Sequence, residues 1–141
     1  MSVFYKFQDI FQYLLVAPDK ESFDKMVARE FEMSDDFINE LTNIKNTTSK
    51  VETDAAVNKI IFGKHVRFAR ELAEILDAFD KESSDRVADY LLDKMERYRE
   101  LLQSMQDAPT KEERQKIIQD VLEEIENYDQ EDFYKTLRSV K

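Results

Sequence analysis

The stretch DRVADYLLDKMERYRELLQSMQ, residues 85–106, indicates the fold class of this 141-residue chain. Its large apolar side chains recur at alternating steps of four and three residues, at Leu91, Met95, Tyr98, Leu102 and Met105. This spacing places them along one side of an α-helix and is typical of the seam between packed helices. The stretch therefore predicts one long helix of a bundle. A homodimer that pairs through this seam is one way of burying it.

Glycine and proline are rare in the chain, which holds one glycine and two prolines. Too few residues remain for the tight turns of a sandwich, a barrel or a doubly wound sheet. The shares of hydrophobic residues (42%) and charged residues (37%) are those of a folded helical protein rather than a disordered one. We therefore predict an all-α fold, a single-domain bundle of about six to seven helices over residues 1–141. Within it we expect residues 1–48 to form an N-terminal three-helix part and residues 49–141 to form a part built from long helices.

The first predicted helix, residues 3–16, has a wide apolar face that includes Phe4, Phe7 and Phe11. Such a face is buried either in the core or against another chain, so these three residues are candidates for an apolar interface. The polar side of the helix is not strongly basic, and the segment is too short to cross a bilayer. We expect no membrane association.

The formal net charge is −10, and the isoelectric point is about 4.7. This charge repels the nucleic-acid backbone and favours a protein partner with a basic surface. The absence of cysteine excludes disulfides, thiolate zinc sites and cysteine nucleophiles, and fits a reducing compartment such as the cytoplasm. A single glycine excludes the glycine-rich loops that bind phosphate. We therefore expect a cytoplasmic, non-enzymatic protein with no catalytic residue, cofactor or metal.

The segment IFGKHVRFAREL, residues 61–72, contains the only histidine and the only glycine of the chain. On a helical wheel His65 falls at the centre of a wide apolar face, which extends towards Phe79 in one long predicted helix. A neutral, buried imidazole with a hydrogen-bond partner is the structural interpretation, and a pH-sensitive packing switch is the functional one. Gly63 either kinks this helix or splits it into two helices.

The segment VAREFEMSDDFINEL, residues 27–41, carries a pattern of small, apolar and helix-capping residues. Ala28 supplies a small side chain for close helix packing, and Ser34 is placed to cap a second helix. The pattern resembles the helix-turn-helix of bacterial and phage DNA-binding regulators. The resemblance implies a helix-turn-helix-like corner near residues 24–42.

Two features of this segment depart from that motif. Glu32 stands where such motifs usually have glycine, and the second helix, SDDFINEL, has no lysine or arginine. Only Asn39 is suited to reading a base edge there, because carboxylates repel the duplex. A tight corner used for protein contacts is the other interpretation.

The acidic run QDVLEEIENYDQED, residues 119–132, is the second candidate site. No lysine or arginine interrupts it, and it contains Asp120, Glu123, Glu124, Glu126, Asp129, Glu131 and Asp132. A solvated helix face is the structural interpretation, and a docking surface for a basic partner is the functional one. The run lacks the glycine of an EF-hand loop, and the chain lacks the paired Glu-x-x-His motifs of a di-metal bundle.

These observations leave three hypotheses about function. The first is an adaptor, regulator or inhibitor of a larger assembly that binds a protein through a helix face. The second is a helix-turn-helix transcriptional regulator. The third is an inhibitor that mimics nucleic acid, as some phage-encoded anti-defence proteins do, and it rests on charge and size only. No long internal repeat is apparent.

Overall fold

A computed structural model describes residues 7–62 and 68–127 of the chain. These residues form a single bundle of six α-helices without strands, which confirms the all-α prediction. The helices are α1 (Gln8–Leu15), α2 (Lys20–Lys45), α3 (Lys50–Ile61), α4 (Ala69–Asp77), α5 (Lys81–Asp107) and α6 (Lys111–Asn127).

The starts of four helices are fixed by side-chain caps. Asp19 accepts a hydrogen bond from the Ser22 amide at 2.7 Å, and Asp80 accepts one from the Ser83 amide at 2.8 Å. The hydroxyls of Ser49 and Thr110 accept from the amides three residues further on, at the starts of α3 and α6. The sequence predicts both caps, because a glutamate follows each of these residues three positions later, as in a capping box. Each cap satisfies an amide that has no partner within its own helix.

The long helices α2 and α5 form the centre of the bundle and pack against each other. Around them α1 packs against α6, and α3 packs against α4. All five seam residues, from Leu91 to Met105, are buried inside the chain. The seam is therefore filled by the chain's own helices, and the homodimer predicted through it has no exposed apolar surface there.

The predicted helix-turn-helix-like corner near residues 24–42 is wrong. The helix α2 runs without a break from Lys20 to Lys45, so residues 7–45 contain two helices where three were predicted up to residue 48. Ser34 caps nothing: it is fully buried, and its hydroxyl donates to the Phe31 carbonyl at 2.9 Å. A serine can bond to its own helix in this way, which removes the need for a turn.

The long helix predicted up to Phe79 is divided, as the second interpretation of Gly63 required. The first part, α3, ends at Ile61, and α4 begins at Ala69. Phe62 and Phe79 lie just beyond helix ends and are 87% and 92% exposed, although the helical wheel of one long helix predicts both on its apolar, inward face. The same wheel predicts Glu71 on the charged, outward side, and Glu71 is buried on α4. Gly63 and His65 lie outside the described residues.

The helices recur in the same order of lengths, which the sequence analysis missed. A short helix, a long helix and a helix of intermediate length follow one another twice. The sequence Asp-Lys-Glu-Ser-x-Asp occurs at residues 19–24 and again at residues 80–85, an offset of 61 residues. With this offset and no gap, residues 7–62, the first unit, correspond to residues 68–123, the second unit.

The two units bury residues at the same positions. Core pairs at this offset are Phe7 and Phe68, Phe11 and Leu72, Leu14 and Ile75, Phe37 and Tyr98, Leu41 and Leu102, and Val57 and Ile118. The chain therefore contains one order of three helices and one pattern of buried positions twice.

Candidate partner-binding surface

The inner face of α6 attaches this helix to the bundle. Ile118, Val121 and Ile125 are buried at spacings of three and four residues. The Gln115 side-chain amide also donates to the Leu15 carbonyl at the end of α1, at 3.3 Å. These contacts fix which side of α6 faces solvent.

Three of the predicted acidic residues lie on the outer side of α6, and we call Asp120, Glu123 and Glu124 the α6 acidic surface. All three are exposed. Lys116 lies 3.4 Å from Asp120, but both side chains are largely in water, so this ion pair contributes little. The surface therefore presents negative charge to solvent.

The other predicted site residues fall elsewhere. Glu126 belongs to α6, but its side chain is not among those described. Outside the described residues lie Asp129, Glu131, Asp132, Phe4 and His65. The structure thus brings together three members of the acidic run.

Helix stability does not explain the α6 acidic surface. No basic residue lies in the last described turn of α6 to offset the charges of Glu123 and Glu124. Asp120 stands three and four residues before them, a spacing at which like charges repel. These acids lower the stability of the helix that carries them.

The first unit provides an internal comparison, because α3 corresponds to α6. At offset 61, Lys59 corresponds to Asp120 and Phe62 corresponds to Glu123, and all four residues are exposed. The same order of helices and pattern of buried positions therefore forms with a base and an aromatic residue where α6 has carboxylates. The fold of a unit does not require acids at these positions.

An open groove of about 540 Å³ lies beside the turn between α5 and α6. Three carboxylates and one ammonium group line it, from Asp107, Glu113, Asp120 and Lys116, while Pro109 and Ile117 add apolar surface. Its chemistry suits a side chain with a cationic end and an apolar stem. Sequence reasoning did not identify Asp107 or Glu113 as site residues, because they come from two different helices.

Metal binding has no support in the part of the chain that the structure describes. No group of three or more histidine, cysteine, aspartate or glutamate side chains lies close enough to hold a metal ion there.

Phe7 and Phe11 are core residues, which corrects their assignment to an interface. Both are completely buried. The Phe7 ring stacks on Tyr98 with centroids 3.8 Å apart and meets Phe68 edge-on at 5.5 Å. Packing within the chain uses the whole of these side chains, so they have no surface to offer a partner.

Other apolar residues are exposed instead. Val51 and Phe62 lie on α3 and at its end, Phe79 precedes α5, and all three are more than three-quarters exposed. Lys50, at the start of α3, donates to the Ile75 carbonyl at 2.6 Å and so holds Val51 close to the connection that contains Phe79. Their exposure is set by helix ends, which the wheel could not locate.

Asn39 is exposed on the outside of α2, in the middle of a continuous helix. One turn before it, Asp35 pairs with Arg99 of α5 at 2.9 Å. A recognition helix must project from a turn into the groove of DNA, and α2 has no such turn. The structure gives Asn39 no role in reading bases.

The pKa values of Asp19 and Asp80 lie below their ordinary range. In each case the largest cause is the hydrogen bond from the backbone amide of Ser22 or Ser83, and the serine side chain adds to it. A bond to the ionised carboxylate favours the charged form. These shifts belong to helix caps and identify no catalytic group.

No protein-family model, curated protein or solved structure matches this chain. Among the described helices, none combines the length and apolarity needed to cross a bilayer.

Proposed function

We propose that this protein acts without catalysis, by binding another protein, and that the α6 acidic surface contacts a basic region of that partner. The observation that supports this function is the contrast between α3 and α6. The two units bury residues at the same positions, but their exposed residues differ. Where α3 of the first unit carries Lys59 and is followed by Phe62, α6 of the second unit carries Asp120 and Glu123. Charges that a fold neither needs nor benefits from are typical of binding surfaces.

Electrostatic attraction is the advantage that such a surface gives. The chain carries a net charge of −10, and α6 adds a local concentration of carboxylates to that field. A basic partner is attracted over distances of about 10 Å at moderate salt, which raises the rate of association. The neighbouring groove can receive one long basic side chain, which gives the contact a position as well as a charge.

The test compares two variants with the same change of net charge. One neutralises the proposed surface as Asp120→Asn, Glu123→Gln and Glu124→Gln. The control changes three exposed glutamates of the other helices, Glu32, Glu96 and Glu100, to glutamine. The tagged full chain is used to capture its partner from lysate of its source cells, and the dissociation constants of the purified pair are then measured at several salt concentrations.

We expect the surface variant to bind on the order of tenfold more weakly than the control, with a shallower dependence on salt. Equal affinity of the two variants would mean that only total charge matters and would contradict the proposed surface. A captured protein that itself binds nucleic acid at the contacted site would favour the inhibitor that mimics nucleic acid. Any other captured protein would favour an adaptor or regulator.

A further inference from the structure

The two units are related by more than similar sequence, because several of their contacts with each other are reciprocal. Lys20 of α2 donates to the Gln106 carbonyl at the end of α5, at 3.1 Å. Lys81 of α5 donates to the Lys45 carbonyl at the end of α2, at 3.3 Å. At the 61-residue offset Lys20 corresponds to Lys81, and Gln106 corresponds to Lys45. An exchange of the two units therefore converts the first contact into the second.

The aromatic core repeats this exchange. Phe7 of the first unit stacks on Tyr98 of the second, with centroids 3.8 Å apart. Phe37 of the first unit stacks on Phe68 of the second, at 4.7 Å. Under the 61-residue offset each of these pairs is the image of the other.

The main packing contacts between whole helices follow the same rule, although α3 also packs against α5 and its counterpart α6 does not pack in this way against α2. The first helix of one unit packs against the last helix of the other on both sides, as α1 with α6 and α4 with α3. The two middle helices, α2 and α5, pack against each other. Repeats that follow each other by translation would make contacts in one direction only, whereas exchanged contacts require a two-fold axis.

One contact locates that axis. Phe7 and Phe68 occupy the same position in the two units, and their rings meet at 5.5 Å. In a two-fold interface a residue can touch its own counterpart only close to the axis. The axis therefore passes between these two rings, in the core of the bundle.

From this geometry we infer that the single chain has the architecture of a homodimer. Its two three-helix units are related copies that pack against each other about an internal two-fold axis. The surface that joins the copies consists of the facing sides of α2 and α5, the contacts of α1 with α6 and of α4 with α3, and the two stacked aromatic pairs. The partner that each unit fits is a second copy of the same unit. The isologous interface is thus closed inside one chain.

Distances between spin labels test this inference in the full chain, which has no cysteine of its own. Cysteines for labelling are introduced in pairs at four exposed positions, Val16, Val51, Asp77 and Glu112. The cross-unit pairs are Val16 with Glu112 and Asp77 with Val51, which a two-fold axis exchanges. The pairs within a unit are Val16 with Val51 and Asp77 with Glu112. Circular dichroism first checks that every labelled variant keeps its helix content.

We expect overlapping distance distributions for the two cross-unit pairs and for the two pairs within units. Equal distances within units together with unequal cross-unit distances would show tandem copies without a two-fold axis and would overturn the inference. Unequal distances within units would overturn it as well, because the copies would then differ in fold.

Discussion

At the scale of single residues, lysines at helix starts hold the bundle together. The first residue of α2, α3 and α5 is a lysine whose ammonium group binds carbonyls at the C-terminal end of another helix. The lysines are Lys20, Lys50 and Lys81, and the helices whose ends they bind are α5, α4 and α2. The last carbonyls of a helix lack the amide partner of a regular turn, although those of Ile44 and Ile75 also accept bonds from Thr47 and Ala78. A cation is favoured at that end of the dipole.

We predict that Lys81→Met lowers the free energy of unfolding by about 1 kcal/mol, because the Lys45 carbonyl loses this donor and the ion pair of Lys81 with Asp85 is lost. The Ile44 carbonyl loses one donor but keeps its bonds from Thr47, and the ammonium group is partly in water, so the loss stays modest. Urea unfolding measures the change. The control is Lys111→Met, at the exposed first residue of α6, for which we expect a change within about 0.5 kcal/mol. Equal losses in both variants would contradict the role given to Lys81.

The aspartate caps predict a dependence of stability on pH. Because the folded pKa of Asp19 and Asp80 lies below the ordinary value of 3.8, their contribution is complete above that pH and is lost as the pH falls through the folded value. Asparagine also caps helices but does not titrate. The double variant Asp19→Asn and Asp80→Asn should therefore lose less stability than the parent below about pH 4.

This prediction is checked by urea unfolding at a series of pH values. The exposed Asp77, which caps no helix, provides the control Asp77→Asn. The control should keep the acid sensitivity of the parent. If the double variant keeps it too, other carboxylates cause the acid dependence.

At the scale of helices, the sequence predicted what local pattern determines. The seam of α5, the caps at Ser49 and Thr110, and the outward face of α6 around Asp120 depend on neighbours within one helix, and all three are present in the structure. The break predicted in α2 failed because Ser34 followed by two aspartates has the local features of a helix start. Packing of α2 along the whole of α5 favours the continuous helix instead.

The continuity of α2 predicts the effect of a glycine. Glu32 is exposed in the middle of this helix, at the position where a helix-turn-helix would have glycine. Since glycine weakens a helix interior, Glu32→Gly should lower the free energy of unfolding by about 1 kcal/mol relative to Glu32→Ala. Thermal or urea unfolding of the two variants measures the difference. A more stable glycine variant would indicate a turn at this position.

The candidate surface was predicted only where it lies on one helix. The exposed acids of α6 follow from spacing, whereas the groove beside them combines Asp107 from the end of α5 with Glu113 from the start of α6. The exposure of Phe62 and Phe79 depends on where α3 and α4 end. These features arise from tertiary packing and from helix boundaries, and hydrophobic periodicity determines neither of them.

At the scale of the whole molecule, the repeat was hidden because the units kept their pattern of burial while changing the residues that fill it. Phe23 in the first unit corresponds to Ser84 in the second, and Ser34 corresponds to Met95, although all four are buried. Identity is concentrated in the helix start at residues 19–24 and 80–85. Outside these two segments the sequences of the units differ, and only the contacts between the units reveal their two-fold relation.

The two-fold relation predicts that the order of the units can be exchanged. A two-fold axis exchanges residue 7 with residue 68 and residue 62 with residue 123. The distance in space from residue 123 to residue 7 should therefore equal the distance from residue 62 to residue 68, which the five residues 63–67 connect. A permutant with residues 68–123 first, residues 63–67 as the linker and residues 7–62 last should therefore fold as a monomer. A second permutant, in which a long glycine-serine linker replaces those five residues, removes the distance constraint.

Both permutants lack Ile125, so their stabilities are compared with each other by urea unfolding and not with the parent. Equal helix content and similar midpoints would support the symmetric gap. Folding of the long-linker permutant alone would show that the two gaps differ, since a five-residue linker spans at most about 20 Å.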